Sequence, residues 1–266
     1  MKTFAMVCAG IVLLSTSTFA EIHTEMIAYE HDGVALEGYL AYPDDDVRGK
    51  RPGVLVIHEW WGLNDYAKQR ARQLAELSYV AFAADMYGKG KATANREEAQ
   101  AWSGQFYGKP QLTQQRAEAG LKVLREQKHV DLSRIAAIGY CFGGTTVLQL
   151  AYGGADIAGV VSFHGSLPPA PKDADIRARI LVCHGADDPH VPTDKVVAFE
   201  QSLQALDKKA DWQLIAYGGA VHSFTNPNSG KAGMNGVAYH ADADRRSWSH
   251  MRMFFDELFA PSEAAP

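Results

Sequence analysis

Cysteine is scarce in this 266-residue chain, with three in all, one of them Cys8 near the N-terminus. Setting that one aside leaves Cys141 and Cys183, too few for a disulfide framework. Blocks of one charge are missing as well. The 26 Lys and Arg and 31 Asp and Glu give a formal net charge of −5, spread along the sequence. Nucleic acids and anionic membranes select clustered Lys and Arg, so neither is an expected partner. The ten histidines form no H-E-x-x-H spacing, and neither a metal nor an organic cofactor is expected. No apolar run after residue 20 is long enough to span a bilayer as a helix, so no membrane-spanning helix is expected in the mature form.

The first twenty residues, "MKTFAMVCAGIVLLSTSTFA", combine one basic residue, a short apolar run and small residues ending in Ala20. That is the pattern of a cleaved secretory signal, with Thr18-Phe19-Ala20 as the cleavage site before Glu21. An uncleaved membrane anchor is the alternative. Export to the periplasm or beyond is therefore expected. Residues 21–260 are expected to form one domain, and 261–266 ("PSEAAP") a frayed tail.

Short β-rich runs alternate with helical patterns through the rest. "TEMIAYEHDGVALEGYLAYP" reads as a hairpin turning at Asp32-Gly33. "GVLVIHEWWG", "VAFAADMYG", "RIAAIGYC", "AGVVSFHG", "RILVCHGADD" and "WQLIAY" read as strands, several of them apolar on both faces. Between them lie helical segments, including "DYAKQRARQLAELSY", two patterns in 94–128 broken around Gly108-Lys109-Pro110, and "PTDKVVAFEQSLQAL" with Thr193 as N-cap. A long Gly/Asn loop precedes a last amphipathic helix, "ADRRSWSHMRMFFDELF". This rhythm predicts an α/β fold: a mainly parallel, doubly wound sheet with an N-terminal antiparallel hairpin.

Active groups in such a sheet gather beyond the carboxyl ends of the strands. "G-Y-C-F-G", with Cys141 between Gly139 and Gly143, has the spacing of the G-x-S-x-G nucleophile elbow with Cys for Ser. Glycines let the chain turn sharply from strand to helix, and the helix N-terminus favours a thiolate. A buried, inert cysteine in a Gly-rich turn is the competing reading. A phosphate cradle is a second, but the Lys-Ser/Thr pair it needs is missing. The remainder of the sequence tips the balance. Asp187 and Asp188 follow one later strand and His222 follows the next, which is the nucleophile–acid–histidine order of the elbow fold. Singly, an Asp before Pro is a turn residue and a loop His is solvated. Three suitable residues in order at three strand ends point to catalysis.

These segments resemble the dienelactone hydrolase family, a Cys-dependent branch of the α/β-hydrolases. The likeness runs through "VLVIHEWWGLN", "FAADMYG", "IGYCFGG", "GADDPHVP", "HSFTNP" and "AYHADADRRSW". It implies an α/β-hydrolase fold, Cys141 as nucleophile, Asp188 as the acid and His222 as the base. It also implies that Glu59 contacts the thiol and helps ionise it, where a structural reading would make Glu59 a buried carboxylate paired with an Arg. The N–H groups of Trp60 and Phe142 would form the oxyanion hole that acyl transfer requires. His58 and His164 are expected to line the floor of the site, and Cys183 to sit in the core.

The implied partner is a small ester or lactone, cleaved through a thioester acyl-enzyme by a monomer or small homo-oligomer. An exported carboxylesterase or polyester hydrolase, or a silent ligand-binding protein on the same fold, are the alternatives. The family holds its lactone carboxylate with two arginines. Here Lys89 and the neutral Asn226 stand nearest those places, with Trp60, Trp61 and Tyr87 as an apolar wall. A Lys lacks the bidentate fork of Arg, so neutral substrates are expected to be preferred, unless Arg245 or Lys231 supplies the cation.

Overall fold

A computed structural model of the chain describes residues 21–44, 49–231 and 233–260. The expected signal segment and the expected tail lie outside these residues. The first strands, β1 (Glu21–His31) and β2 (Val34–Asp44), form the expected hairpin, paired from Glu21 with Asp44 to His31 with Val34. Its turn places Asp32 at φ 52° and Gly33 at φ 71°. Two successive positive φ values make the tight turn whose twist matches the flanking strands.

Six further strands follow: β3 (Arg51–Ile57), β4 (Val80–Ala84), β5 (Val130–Tyr140), β6 (Gly159–Phe163), β7 (Arg179–Gly185) and β8 (Trp212–Tyr217). The sheet order is β1-β2-β4-β3-β5-β6-β7-β8, antiparallel up to β4 and parallel from there on. The helices are α1 (Asp65–Glu76), α2 (Arg96–Ser103), α3 (Pro110–Arg125), α4 (Phe142–Tyr152), α5 (Thr193–Gln204) and α6 (Ala241–Leu258).

Strand periodicity sorts the interior into two layers. On β3, Leu55 and Ile57 join the core built with α3, α4 and α5, while Val54 and Val56 join the one built with α1 and α6. Along β5, Ile135 and Ala137 face the first layer, and Ala136, Ile138 and Tyr140 the second. A strand covered on both faces needs apolar residues at every position, which is why these runs are continuous in sequence.

Several boundaries differ from the sequence reading. The run "VAFAADMYG" stops being strand at Ala84, because Asp85 Oδ1 accepts from the N–H groups of Tyr87 (2.8 Å) and Gly88 (3.0 Å) and bends the chain. Strand β5 starts at Val130 rather than Arg134, and its register against β3 shifts between Pro52 and Gly53. The N-cap of α5 is Pro192, with no side-chain cap bond, and Thr193 is the first helical residue.

Leu55 is fully buried at the centre of the sheet. Leu55→Ala is expected to lower the free energy of unfolding by about 2–5 kcal/mol in urea denaturation. Lys122→Ala, at an exposed i,i+4 pair with Glu126, is expected to change it by less than about 0.5 kcal/mol.

Candidate active site

The turn from β5 into α4 is very tight. Cys141 is the N-cap of α4 at φ 53° and ψ −111°, a conformation that L-residues rarely hold. A Cβ on Gly139 would lie 2.0 Å from the Gly143 carbonyl oxygen, and one on Gly143 would lie 2.2 Å from that of Ile57. Strand β5, the first turn of α4 and the end of β3 therefore touch backbone to backbone. The Cys141 N–H donates to Phe163 O (3.0 Å) and to His164 Nδ1 (3.1 Å), which holds the strained residue in place.

Asp188 and His222 converge on this thiol from their own strand ends. His222 Nε2 lies 3.2 Å from Cys141 Sγ, and Nδ1 lies 2.8 Å from Asp188 Oδ2. Asp188 Oδ1 also accepts from the His190 N–H at 2.8 Å. Of the two candidate acids, Asp187 is exposed and Asp188 is buried against the imidazole. The Gly/Asn loop folds back to fix the histidine: His222 N–H donates to Gly236 O (3.0 Å), and His222 O accepts from the Ala238 N–H (3.2 Å).

Electrostatics favours an imidazolium in this setting. Burial alone would push His222 down, but the Cys141 sulfur and the Asp188 carboxylate outweigh it and hold the imidazole up at about 10. For Asp188, burial works upward, and the hydrogen bond and charge of His222 bring it below the usual carboxylate range. A proton on Nε2, directed at the Cys141 sulfur, is thus favoured. Cys183 is the contrast: fully buried, its thiol is pushed up to about 12 by burial, and it belongs to the core.

Glu59 is not bonded to the thiol. Its carboxylate accepts from Ser223 Oγ and from Asn226 Nδ2 (2.6 Å), and burial pushes it above the usual carboxylate range. Asn226, expected to meet substrate, lines the cleft with its amide donating to Glu59. Ser223, missed in the sequence reading, sits at φ 59° directly after His222. Its signal was its place in "HSF".

These groups open onto a cleft of about 990 Å³, lined by Glu59, Trp60, Trp61, Cys141, Phe142 and His222 among others. Lys89 does not reach it: its ammonium lies 2.7 Å from Glu37 on the β1–β2 side of the sheet. Tyr87 is not a wall of the cleft either. It is buried behind Phe142, with ring centroids 5.4 Å apart, among Phe106, Trp102 and His58. Cations that do line the cleft are Arg96 and Lys231, both exposed, while Arg245 pairs with Asp242 on α6. Among the described residues, no group of three or more His, Cys, Asp or Glu side chains is arranged to hold a metal ion.

Neither strand-end histidine lines the cleft; both lie beneath it. His164 Nε2 is 2.7 Å from Thr225 Oγ1, which meets Tyr66 Oη at 2.6 Å. Arg70 donates to Tyr66 Oη (3.3 Å), to Thr225 O (2.7 Å) and to Asp244. Burial, together with the charges of His222 and Arg70, keeps His164 well below its ordinary value and neutral. Nothing in the local sequence around Arg70 or Thr225 signals this network, because its members come from distant segments.

The model of the dienelactone hydrolase family matches residues 36–259. A protein named "Putative carboxymethylenebutenolidase" from Saccharolobus solfataricus is 28% identical over 263 residues, covering 86% of this chain and 96% of its own. Protein usf of Aquifex pyrophilus is 30% identical over 209 residues, 76% of this chain and 87% of its own. Among solved structures, a dienelactone hydrolase-like promiscuous phosphotriesterase from metagenomic libraries superposes with a TM-score of 0.85 at 40% identity. That match covers 90% of this chain and 99% of the other.

The contact between Cys141 and His222 makes a prediction about reactivity. At pH 6.5, Cys141 is expected to react with iodoacetamide at least about tenfold faster in the wild-type protein than in His222→Ala. An unassisted thiol with a pKa of about 8.5 is about 1% ionised there. The gap should close above pH 9, as the variant's thiol ionises unaided. Peptide mass spectrometry over a pH series measures both rates.

Proposed function

The chain belongs to the dienelactone hydrolase family, and from that premise we propose that it hydrolyses carboxylic esters or lactones with Cys141 as nucleophile. The observation that carries the proposal is the Cys141–His222–Asp188 chain, with contacts of 3.2 and 2.8 Å, at a positive-φ elbow open to a large cleft. A non-catalytic binder has no use for this alignment.

In the proposed sequence the Cys141 thiolate attacks the carbonyl carbon. The C–S bond forms and the carbonyl π pair moves to oxygen. That oxyanion takes hydrogen bonds from the N–H groups of Trp60 and Phe142. Phe142 is the first residue of α4, so its N–H has no acceptor within the helix. Collapse expels the alkoxide, which receives the Nε2 proton of His222 and leaves a thioester. Water then attacks the thioester while His222 takes its proton. Collapse returns the thiolate and the imidazolium and releases the acid. Asp188 holds the ring and stabilises its charged form throughout. Glu59, tied to Ser223 and Asn226, acts on the thiol only if it exchanges those bonds on substrate binding.

On substrate class, the proposal is a neutral ester or lactone. Neither Lys89 nor Asn226 offers a charge to the cleft, and the exposed Arg96 and Lys231 are screened by water. Export is part of the same proposal, supported by the composition of residues 1–20, and predicts that the secreted form begins at Glu21.

Cys141→Ala is expected to reduce hydrolysis of an activated short-chain ester at least about a thousandfold. Retention of activity would return the protein to the ligand-binding reading. In the wild-type protein, kcat/KM for a neutral lactone is expected to exceed that for the carboxylated dienelactone by roughly tenfold or more, the worth of about one charge-assisted hydrogen bond. Because a relative is a promiscuous phosphotriesterase, a phosphotriester belongs in the same panel.

A further inference from the structure

His58 is fully buried just past the end of β3. Both ring nitrogens are engaged by backbone. Nε2 is 3.2 Å from the Met86 nitrogen and Nδ1 is 2.5 Å from the carbonyl oxygen of Glu59. A backbone N–H can only donate, so Nε2 accepts and the ring proton resides on Nδ1, which donates to Glu59 O. Burial, which lowers the ring's basicity, keeps this neutral tautomer.

The Glu59 carbonyl and the Trp60 N–H belong to one peptide unit. All described peptide bonds are trans, so these two groups point in opposite directions. The Glu59 oxygen is drawn toward the His58 ring, and among the described residues it also accepts from the Gly62 N–H at 3.3 Å. Glu59 and Trp60 line the cleft and His58 does not, so the peptide lies between the ring and the cleft. Holding the oxygen inward turns the N–H outward, to the side where substrate binds. The other proposed oxyanion donor needs no such clamp. Its peptide is held through Cys141 O, which accepts from the Thr145 N–H at 3.2 Å as α4 begins.

We infer that His58 is a positioning residue for acyl transfer, whose Nδ1–H clamps the Glu59–Trp60 peptide so that the Trp60 N–H faces the developing oxyanion. The inference rests on the reading of Cys141 as the acyl-transfer nucleophile. It also gives the first half of "HEWWG" a role that is neither the floor of the site nor the filling of the core. A loosened peptide weakens both tetrahedral intermediates, before and after the thioester, without altering the thiolate itself.

Two substitutions separate the nitrogens. In His58→Asn the amide nitrogen takes the place of Nδ1 and keeps the donor. In His58→Gln the amide oxygen takes the place of Nε2, and the donor to Glu59 is lost. For an activated ester, H58Q is expected to lower kcat about 10- to 100-fold with KM within about twofold, and H58N to stay within about threefold of wild type. Alkylation of Cys141 by iodoacetamide, a displacement at carbon that forms no oxyanion, should stay within about twofold of wild type in both. Three results would each overturn the inference: an unchanged kcat in H58Q, an H58N as slow as H58Q, or alkylation falling in step with kcat, which would mark a general structural role. Cys141→Ala, run alongside, keeps the two levels apart. Full activity there removes the acyl-transfer reading and this inference with it. Lost activity there with an unchanged H58Q removes the role of His58 alone.

Discussion

The close approach of β5 to the first turn of α4 is the constraint on which the rest of the site depends. Gly139 and Gly143 meet at a separation that no Cβ could share, and Gly143 also meets the carbonyl of Ile57 at the end of β3. That contact leaves Cys141 no room for ordinary backbone angles. Three of the five described non-glycine residues with positive φ are Cys141, His164 and Ser223, all at the site. Each such residue costs on the order of 1–3 kcal/mol, and the cost persists only where surrounding bonds over-determine the geometry. Here the two acceptors on the Cys141 N–H and the bond from Ser223 to Glu59 do so.

Around this elbow the polar groups are sorted by charge. His222 stands between the Cys141 sulfur and the Asp188 carboxylate, and both favour its charged form. His164 and His58, packed below, are kept neutral by burial and serve as fixed donors and acceptors. Arg70 is a buried cation whose donors are taken by Tyr66, Gln73, Thr225 and Asp244, and the aromatic faces of Tyr66, Tyr140 and Trp248 surround it. A buried charge without such partners is strongly destabilising. Its bond to Asp244 ties α1 to α6, and its bond to Thr225 O anchors the segment just past His222. The loop carrying the histidine is thus gripped from beneath, while Gly236 and Ala238 hold it from above.

Much of this was legible beforehand, for definable reasons. The hairpin turn was marked by Asp32-Gly33, the sheet by apolar runs of strand length, and the elbow by its glycines. The order Cys141, Asp188, His222 followed from strand ends, since parallel strands deliver their carboxyl ends to one edge. Lys89 was misplaced because counting residues from a strand end says nothing of which side the chain leaves by. The Asx turn at Asp85 carries it toward Glu37. An aromatic residue near a strand end serves equally as core or as cleft wall, and Tyr87 is core, with Phe142 standing in front of it. The Glu59 partners were hidden for another reason: Ser223 and Asn226 lie more than 160 positions away, and only folding brings them together.

What the sequence determined by itself is the architecture and which side chains stand at the elbow and at the neighbouring strand ends. Both are set by short-range patterns: period-two and continuous apolar runs, glycine at a turn that tolerates no side chain, and chain order along parallel strands. What only the tertiary structure decided is orientation: which acid turns inward, that the thiol faces His222 while Glu59 faces Ser223 and Asn226, and how His58 holds the peptide beside it. Those choices depend on directions of hydrogen bonds between segments far apart in the chain. Such directions are fixed only when packing brings buried donors from distant segments to their acceptors.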